Sequence, residues 1–399
     1  MNNNFDVAIV GLGPAGLKFL NLAIAKGLKI VCFEAENLGG VCLNRGCIPT
    51  KSFLHDSEKL DFQSAKERKN KIVETFRNAI LRTIKASGVT FVNSKAEVID
   101  KNTILADGTE YSADKIIFAG GSVDIEIPTL KVDHNFILNS DDIFNLNQLP
   151  KNIIVVGSGA IGIEWARILK NYGVEVSIVE KAPNILPNMD VDVSKRMERI
   201  LKTSGIKYFK DNEIVEVSEN SVILKTGEKI ETDKILVAIG KKPNKIEVEG
   251  VYSIGDTNPV LMLAHSAEAQ AEKLFCELFC KKSEAILKTQ IPSVIYGIPE
   301  VASIGLREQD LENKENYKIF NYPLLKLAKA HCDSHIEGFI KIIADSENKI
   351  VGAHIISLEA SSLISIIAVA MHFKGTIDDI KEIIFPHPTL AEGIKLALE

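Results

Sequence analysis

The chain has 399 residues, which at about 150 residues per domain corresponds to two or three domains with a large buried core. Hydrophobic residues make up 46% and charged residues 25%, with 26 glycines and 13 prolines, so collagen-like, low-complexity and disordered classes are excluded. The formal charge of −6 comes from 47 Lys and Arg against 53 Asp and Glu, and no basic block reads as a footprint for a nucleic acid. The six cysteines are sparse, and the opening Met-Asn-Asn-Asn carries no basic leader or cleavage site, which points to the cytoplasm.

From the N-terminus, Val7 to Ala25 is a 19-residue, mostly apolar run, long enough on paper to cross a bilayer. Lys18, Pro14 and the glycines at 11, 13 and 16 fit a strand, turn and helix instead, so no membrane span is expected. The turn is Val7-Ala-Ile-Val-Gly-Leu-Gly-Pro-Ala-Gly16, and it recurs 146 residues later as Ile153-Ile-Val-Val-Gly-Ser-Gly-Ala-Ile-Gly162. Each copy runs from an apolar strand through G-x-G-x-x-G and a helical pattern to a second apolar strand that ends in an acid. The acids, Glu34 and Glu180, each lie 23 residues beyond the first glycine of their copy.

That context gives the motif its chemistry. Gly11 and Gly157 permit the tight turn, Gly13 and Gly159 let backbone approach a pyrophosphate, and Gly16 and Gly162 let helix pack on strand. The anion then meets the positive end of a helix, and the acid accepts from a ribose hydroxyl. Two dinucleotides per chain is the simplest reading.

Next comes Gly39-Gly-Val-Cys42-Leu-Asn-Arg-Gly-Cys47-Ile-Pro-Thr-Lys51. On a regular helix this i, i+5 pair is separated by about 7.5 Å of rise, so a disulfide needs a distorted turn, for which Gly46 and Pro49 offer places. Two buried free thiols remain the alternative, and zinc fits the spacing poorly. A charged helix is predicted from Asp56 to Lys85, a hairpin from Thr90 to Tyr111 around Asp107-Gly108, and a strand from Lys115 to Ala119. The second copy closes likewise, with a hairpin near Thr226-Gly227 and a strand over Ile235 to Ile239. A helix follows from about Leu263 to Cys280. From about Pro292 the pattern changes to strands (338–343, 350–356) and helices (360–373, 390–398), an α+β region of separate character. Cys276 and Cys280 read as part of a buried helix stripe, and His331 and His335, with Cys332 between them, lack a further ligand for a metal.

Taken in order, Gly39 to Lys51, both glycine fingerprints, Ala119-Gly-Gly-Ser122, Ala238 to Pro243, Ile254-Gly-Asp256, Pro299-Glu300 and His387-Pro-Thr-Leu-Ala-Glu392 resemble the flavin-dependent pyridine nucleotide–disulfide oxidoreductases, nearest the dihydrolipoamide dehydrogenase branch. The resemblance implies an α/β chain of two Rossmann-like domains, for FAD (1–145 and 246–288) and NAD (146–245), plus a C-terminal α+β dimerisation domain (289–399). For FAD it implies Gly11, Gly13, Pro14, Ala15, Gly16, Glu34, Gly40, Val41, Cys42, Lys51, Ala119, Gly120, Gly255, Asp256 and Ala264. For NAD it implies Gly157, Gly159, Ala160, Ile161, Gly162, Glu180 and Gly240, the acid suiting a free 2′-hydroxyl although Lys181 follows it.

The same resemblance implies a redox disulfide between Cys42, the interchange thiol, and Cys47, nearer the flavin, with Lys51 beside the ring and paired to Glu164. His387 and Glu392 would act as base and orienting acid for the neighbouring subunit's disulfide, which makes the protein a homodimer. Thr389-x-x-Glu392 also reads as a capping box opening the last helix. The implied partner is the lipoyl domain of a 2-oxo acid dehydrogenase or glycine cleavage complex, with no metal. Two other readings are an NADH-dependent reductase of another disulfide or electrophile, and a flavin- and NADH-binding protein with vestigial catalysis. The chain is shorter than the family usually is, between Lys51 and Ala119 and between Pro243 and Gly255, and Gly120 replaces the usual Thr.

Overall fold

Apolar, β-branched runs followed by glycine and then a helical pattern set the framework of a computed structural model that describes residues 4–280 and 285–399. The chain divides into two compact units. One comprises the residues up to Phe53, Gln63–Ile125 and Lys241–Leu287; the other comprises Leu54–Phe62, Glu126–Gly240 and Lys288–Glu399.

In the first unit, strand Asn4–Val10 lies between parallel partners Ile30–Phe33 and Thr109–Phe118. Such a strand is covered on both faces and therefore reads as a continuous apolar run. Helix Pro14–Lys26 starts with Pro at its first turn and ends at Gly27 with φ 77°, the preferred chemistry for each end. It packs against helix Ala264–Phe279 through the edge-on ring contact of Phe19 and Phe275, 5.6 Å between centroids. The opposite face of the sheet is filled by Phe5, Phe33, Ile104 and Ile116.

Two expectations change here. Thr90–Val92 does not belong to the hairpin; it pairs in parallel with Ile30–Phe33, because the 26-residue helix Phe62–Ser87 carries the chain back across the sheet. The hairpin proper joins Thr103–Ala106 to Thr109–Phe118 through Asp107 and Gly108, with Ala96–Val98 beside it. The charged helix expected from Asp56 to Lys85 starts later, as Phe62–Ser87; a separate helix, Cys47–Asp56, ends just before it, where the Asp56 carbonyl accepts from the amides of Lys59 and Leu60.

The second unit repeats the parallel plan, with strands in the order Lys207–Phe209, Glu175–Val179, Asn152–Val156, Lys234–Val237 and Ile137–Leu138. A separate five-stranded antiparallel sheet runs Ser293–Ile295, Glu300–Gly305, Ile350–Ser357, Phe339–Ala344, Lys318–Pro323, covered by helix Ala360–His372. A buried ionic cluster joins this sheet to helix Val191–Thr203. Lys341, fully buried on a strand, donates to Asp190 (2.9 Å), Asp192 (2.7 Å) and Glu308 (2.6 Å). Removing one member of such a cluster strands the others without water, which costs more than the intact cluster contributes.

Among the described residues no helix is long and apolar enough to cross a membrane. The apolar run from Val7 is a strand, a glycine turn and a helix, as read from the sequence.

Candidate active site

The two glycine fingerprints are scaffolded by the same backbone hydrogen bonds. Gly11 donates to Phe33 O (2.9 Å) and Gly157 to Val179 O (2.8 Å). Ala119 donates to Val10 O and Ala238 to Val156 O, each at 2.8 Å. Gly11 has φ 92° and Gly157 φ 102°, and a Cβ at either would sit 2.4 or 2.6 Å from the carbonyl oxygen of Ala119 or Ala238. Only glycine fits there.

The acids are anchored alike. Glu34, buried, accepts from the amides of Leu12 (2.9 Å) and Glu36 (3.0 Å). Glu180 accepts from the amide and hydroxyl of Ser158, both at 2.7 Å, and from the Ala182 amide at 2.7 Å. Each carboxylate thus stands at the end of its second strand, against the residue between the first two glycines. The sequence signal for Ser158 is its place inside the fingerprint.

These residues fit two dinucleotides. In the first unit Gly40 (φ 59°) faces Gly13 so closely that a Cβ on Gly40 would lie 2.8 Å from the Gly13 Cα, which keeps that approach free of side chains. In the second, a Cβ on Gly159 would meet nothing within 4 Å, open space at the N-terminus of helix Ala160–Asn171. Pro14, Ala15, Ala160 and Ile161 open the two helices, and Gly240 follows strand Lys234–Val237 with φ 100°. Lys181 is engaged with Glu213 at 2.9 Å.

Asp256 lies within the short helical turn Gly255–Thr257 and accepts from Ser122 at 2.8 Å; burial pushes its carboxyl above the ordinary range against that bond and the Lys241 charge. Ser122 is a partner that the sequence contained in a quoted motif without a role. Ala264 begins helix Ala264–Phe279. At Gly120 a Cβ would lie 2.5 Å from the Phe118 ring, so the Phe118 ring takes the room that the usual Thr would need.

Cys42 and Cys47 lie on successive short helices, Gly40–Arg45 and Cys47–Asp56, separated by Gly46 with φ −136° and ψ −113°. Gly46 is non-helical, and the break brings the two thiols into hydrogen-bonding contact. The Cys42 thiol is pushed up by that contact and then by burial, while the Lys51 charge pulls it back down. Cys42 is half-buried and Cys47 exposed. Asn44, which the sequence reading passed over, pins this segment by donating to Gly40 O (2.7 Å) and Leu38 O (3.0 Å) and accepting from Arg77.

In the second unit His387 Nδ1 and Glu392 Oε1 are 2.9 Å apart. The Thr389 amide and then His387 hold the Glu392 carboxyl below its ordinary range, so it is ionised and the imidazole is the donor. The capping box is only half formed: Thr389 N donates to Glu392 (2.8 Å), but the Thr389 hydroxyl turns to Pro386 O and does not cap the helix. The carboxylate is held beside the imidazole by the backbone, and the hydroxyl contributes nothing to that. Glu164 is buried and accepts from the Tyr296 amide at 2.9 Å.

The other thiols and imidazoles divide. Cys32 is buried on a strand, its thiol pushed up to about 12. Cys276 is half-buried and Cys280 exposed, so the expected buried stripe is wrong: the core side of that helix is filled by Ala267, Ala271 and Phe275. His331 binds Leu325 O, and no cluster of metal-ligating side chains occurs among the described residues.

A family model described as pyridine nucleotide-disulphide oxidoreductase matches residues 5–249, and one for the dimerisation domain of the same enzymes matches 291–398. The chain belongs to the pyridine nucleotide-disulphide oxidoreductases. It is 31% identical to the mitochondrial dihydrolipoyl dehydrogenase of Pisum sativum over 453 positions, covering 98% of this chain and 90% of that one. It is 32% identical to the leghemoglobin reductase of Glycine max, covering 98% and 86%. In structure it is similar to the HOCl-induced flavoprotein disulfide reductase RclA from Escherichia coli, with TM-score 0.91, 22% identity and coverage of 98% and 99%. Members of this family use FAD and NAD(H), and these are the cofactors of this FAD-dependent oxidoreductase, which also carries the family's dimerisation domain. An alignment of 453 positions against 399 residues means that this chain lacks segments its relative has.

Proposed function

We propose that this oxidoreductase is a dihydrolipoamide dehydrogenase: a cytoplasmic homodimer that takes electrons from a dihydrolipoyl group, carried by the lipoyl domain of a multienzyme complex, and delivers them to NAD⁺. The observation that carries the reading is the thiol pair Cys42 and Cys47, brought into contact by the break at Gly46 immediately after the first nucleotide cradle. The first unit, with residues 1–145 and 246–288, would hold FAD; residues 146–245 would hold NAD, and 289–399 would form the interface.

In this reading His387 removes the proton of the substrate thiol. Its Nδ1–H is committed to Glu392, which leaves Nε2 as the basic atom and stabilises the imidazolium that forms. The substrate thiolate attacks Cys42 of a Cys42–Cys47 disulfide, and Cys47 leaves as the thiolate; a second substrate thiol then releases oxidised lipoamide and Cys42. The Lys51 charge favours the thiolate form at Cys42. FAD supplies two-electron transfer from the dithiol to NAD⁺. Glu180, with Lys181 turned to Glu213, supports NAD over NADP. Ile384 and Phe373, 92% and 77% exposed, are the kind of apolar surface that a second subunit covers.

The missing segments favour a second reading, a reductase of another disulfide driven by NADH, since one of them lies between Lys51 and Ala119, beside the thiol pair in sequence. Purified protein mixed with dihydrolipoamide and NAD⁺, and separately with glutathione disulfide and NADH or NADPH, separates the two. Bleaching of the flavin by dihydrolipoamide with NADH formation supports the first; a flavin that dihydrolipoamide does not reduce overturns it.

A further inference from the structure

Outside the redox segment, the described chain has one other pair of thiols in contact, Cys276 and Cys280, which share a hydrogen bond on the solvent side of helix Ala264–Phe279. The function proposed above makes no use of them. Cys280 caps the helix, and its amide still donates to Cys276 O at 2.9 Å, so the helical spacing of one turn is kept to the end.

That spacing decides what the pair can do. Residues four apart on a helix have Cβ atoms about 5–6 Å from one another, whereas a disulfide needs about 3.5–4.5 Å. With no break equivalent to Gly46, the helix holds these sulfurs too far apart for an unstrained S–S bond, yet close enough to share one small bridging group. In the reduced protein that group is a proton. Zinc is excluded, because it takes four donors and no third His, Cys, Asp or Glu joins the pair among the described residues. Two thiolates alone complete the shell of a soft, linear, two-coordinate cation.

We propose that Cys276 and Cys280 form a two-coordinate thiolate site for a soft monovalent cation, Cu(I) being the representative. Binding makes two sulfur–copper bonds, releases two thiol protons to water and changes no oxidation state. The site gains one net negative charge, from neutral dithiol to a dithiolate holding one positive ion. Glu272, one turn earlier, raises the proton affinity of Cys276 after burial and Cys280 itself, and Lys18 pairs with that carboxylate at 2.5 Å. The proposal is independent of the dithiol substrate, because it uses none of the residues assigned to turnover.

The test uses full-length, FAD-loaded protein in which Cys42→Ser and Cys47→Ser remove the other thiol pair. Cu(I) is offered anaerobically as its coloured bicinchoninate complex, and loss of colour measures transfer to the protein. One equivalent transferred per chain, lost when Cys276→Ser and Cys280→Ser are added, is the expected result. Transfer should weaken as pH falls, because protons compete for the same sulfurs. No transfer in the first variant, or transfer that survives in the second, overturns the site. Zn(II) competing as strongly as Cu(I) overturns the two-coordinate assignment. The retained flavin spectrum reports that each variant is folded, so a loss of binding cannot be read as a loss of structure.

Discussion

Cys42–Cys47 and Cys276–Cys280 are both pairs of neighbouring thiols in the same compact unit, and they differ in the backbone between them. The first pair is five residues apart with a non-helical glycine before the second cysteine; the second is four apart on an unbroken turn. Both pairs share a hydrogen bond, but one does so across a broken helix and the other along an intact turn, whose Cβ spacing of about 5–6 Å is too wide for a disulfide. Sequence proximity alone therefore does not make a redox centre; backbone geometry does. A Cβ on Gly46 would lie 3.0 Å from Val41 O and 3.4 Å from the Cys42 Cα, so the break depends on glycine for room.

The largest effect that tests this contrast is Cys42→Ser, which should abolish dithiol turnover while leaving FAD bound; stopped-flow reduction and the flavin spectrum read the two separately. His387→Gln should lower kcat by about 10²–10⁴-fold, the usual cost of a lost acid–base catalyst, and steady-state kinetics check it. Gly46→Ala crowds the break and displaces Cys47, for which an ångström of misplacement predicts a loss of about 10²-fold in turnover. If instead the variant turns over normally, the glycine break is not what couples the pair. Glu392→Gln removes the charge that orients the imidazole while leaving an acceptor for its Nδ1–H, so kcat should fall by less than in His387→Gln, which the same steady-state kinetics check. Last, Cys276→Ser with Cys280→Ser should leave turnover unchanged, within about twofold.

Much of the site was legible because its signals are local. Gly11 and Gly157 announce the turn, Glu34 and Glu180 mark the strand ends, and His387 and Glu392, paired through the family resemblance, sit five residues apart. The buried cluster around Lys341 was not legible, since Asp190, Asp192 and Glu308 come from distant segments and each reads as an ordinary surface charge. Thr90–Val92 was misassigned for a related reason: a short β-branched run carries no information about whether its partner is the next strand or one reached across a helix.

Sequence by itself determined the two glycine fingerprints with their acids, the paired thiols, the imidazole–carboxylate pair and the family, because each rests on residue types in a fixed order. Only tertiary structure decided which side of a helix faces water, and so turned Cys276 and Cys280 from an expected core stripe into a surface dithiol. It also decided that Thr389 binds Pro386 O, leaving the cap half formed. Those outcomes depend on what packs against each element, and packing partners come from parts of the chain that no local pattern encodes.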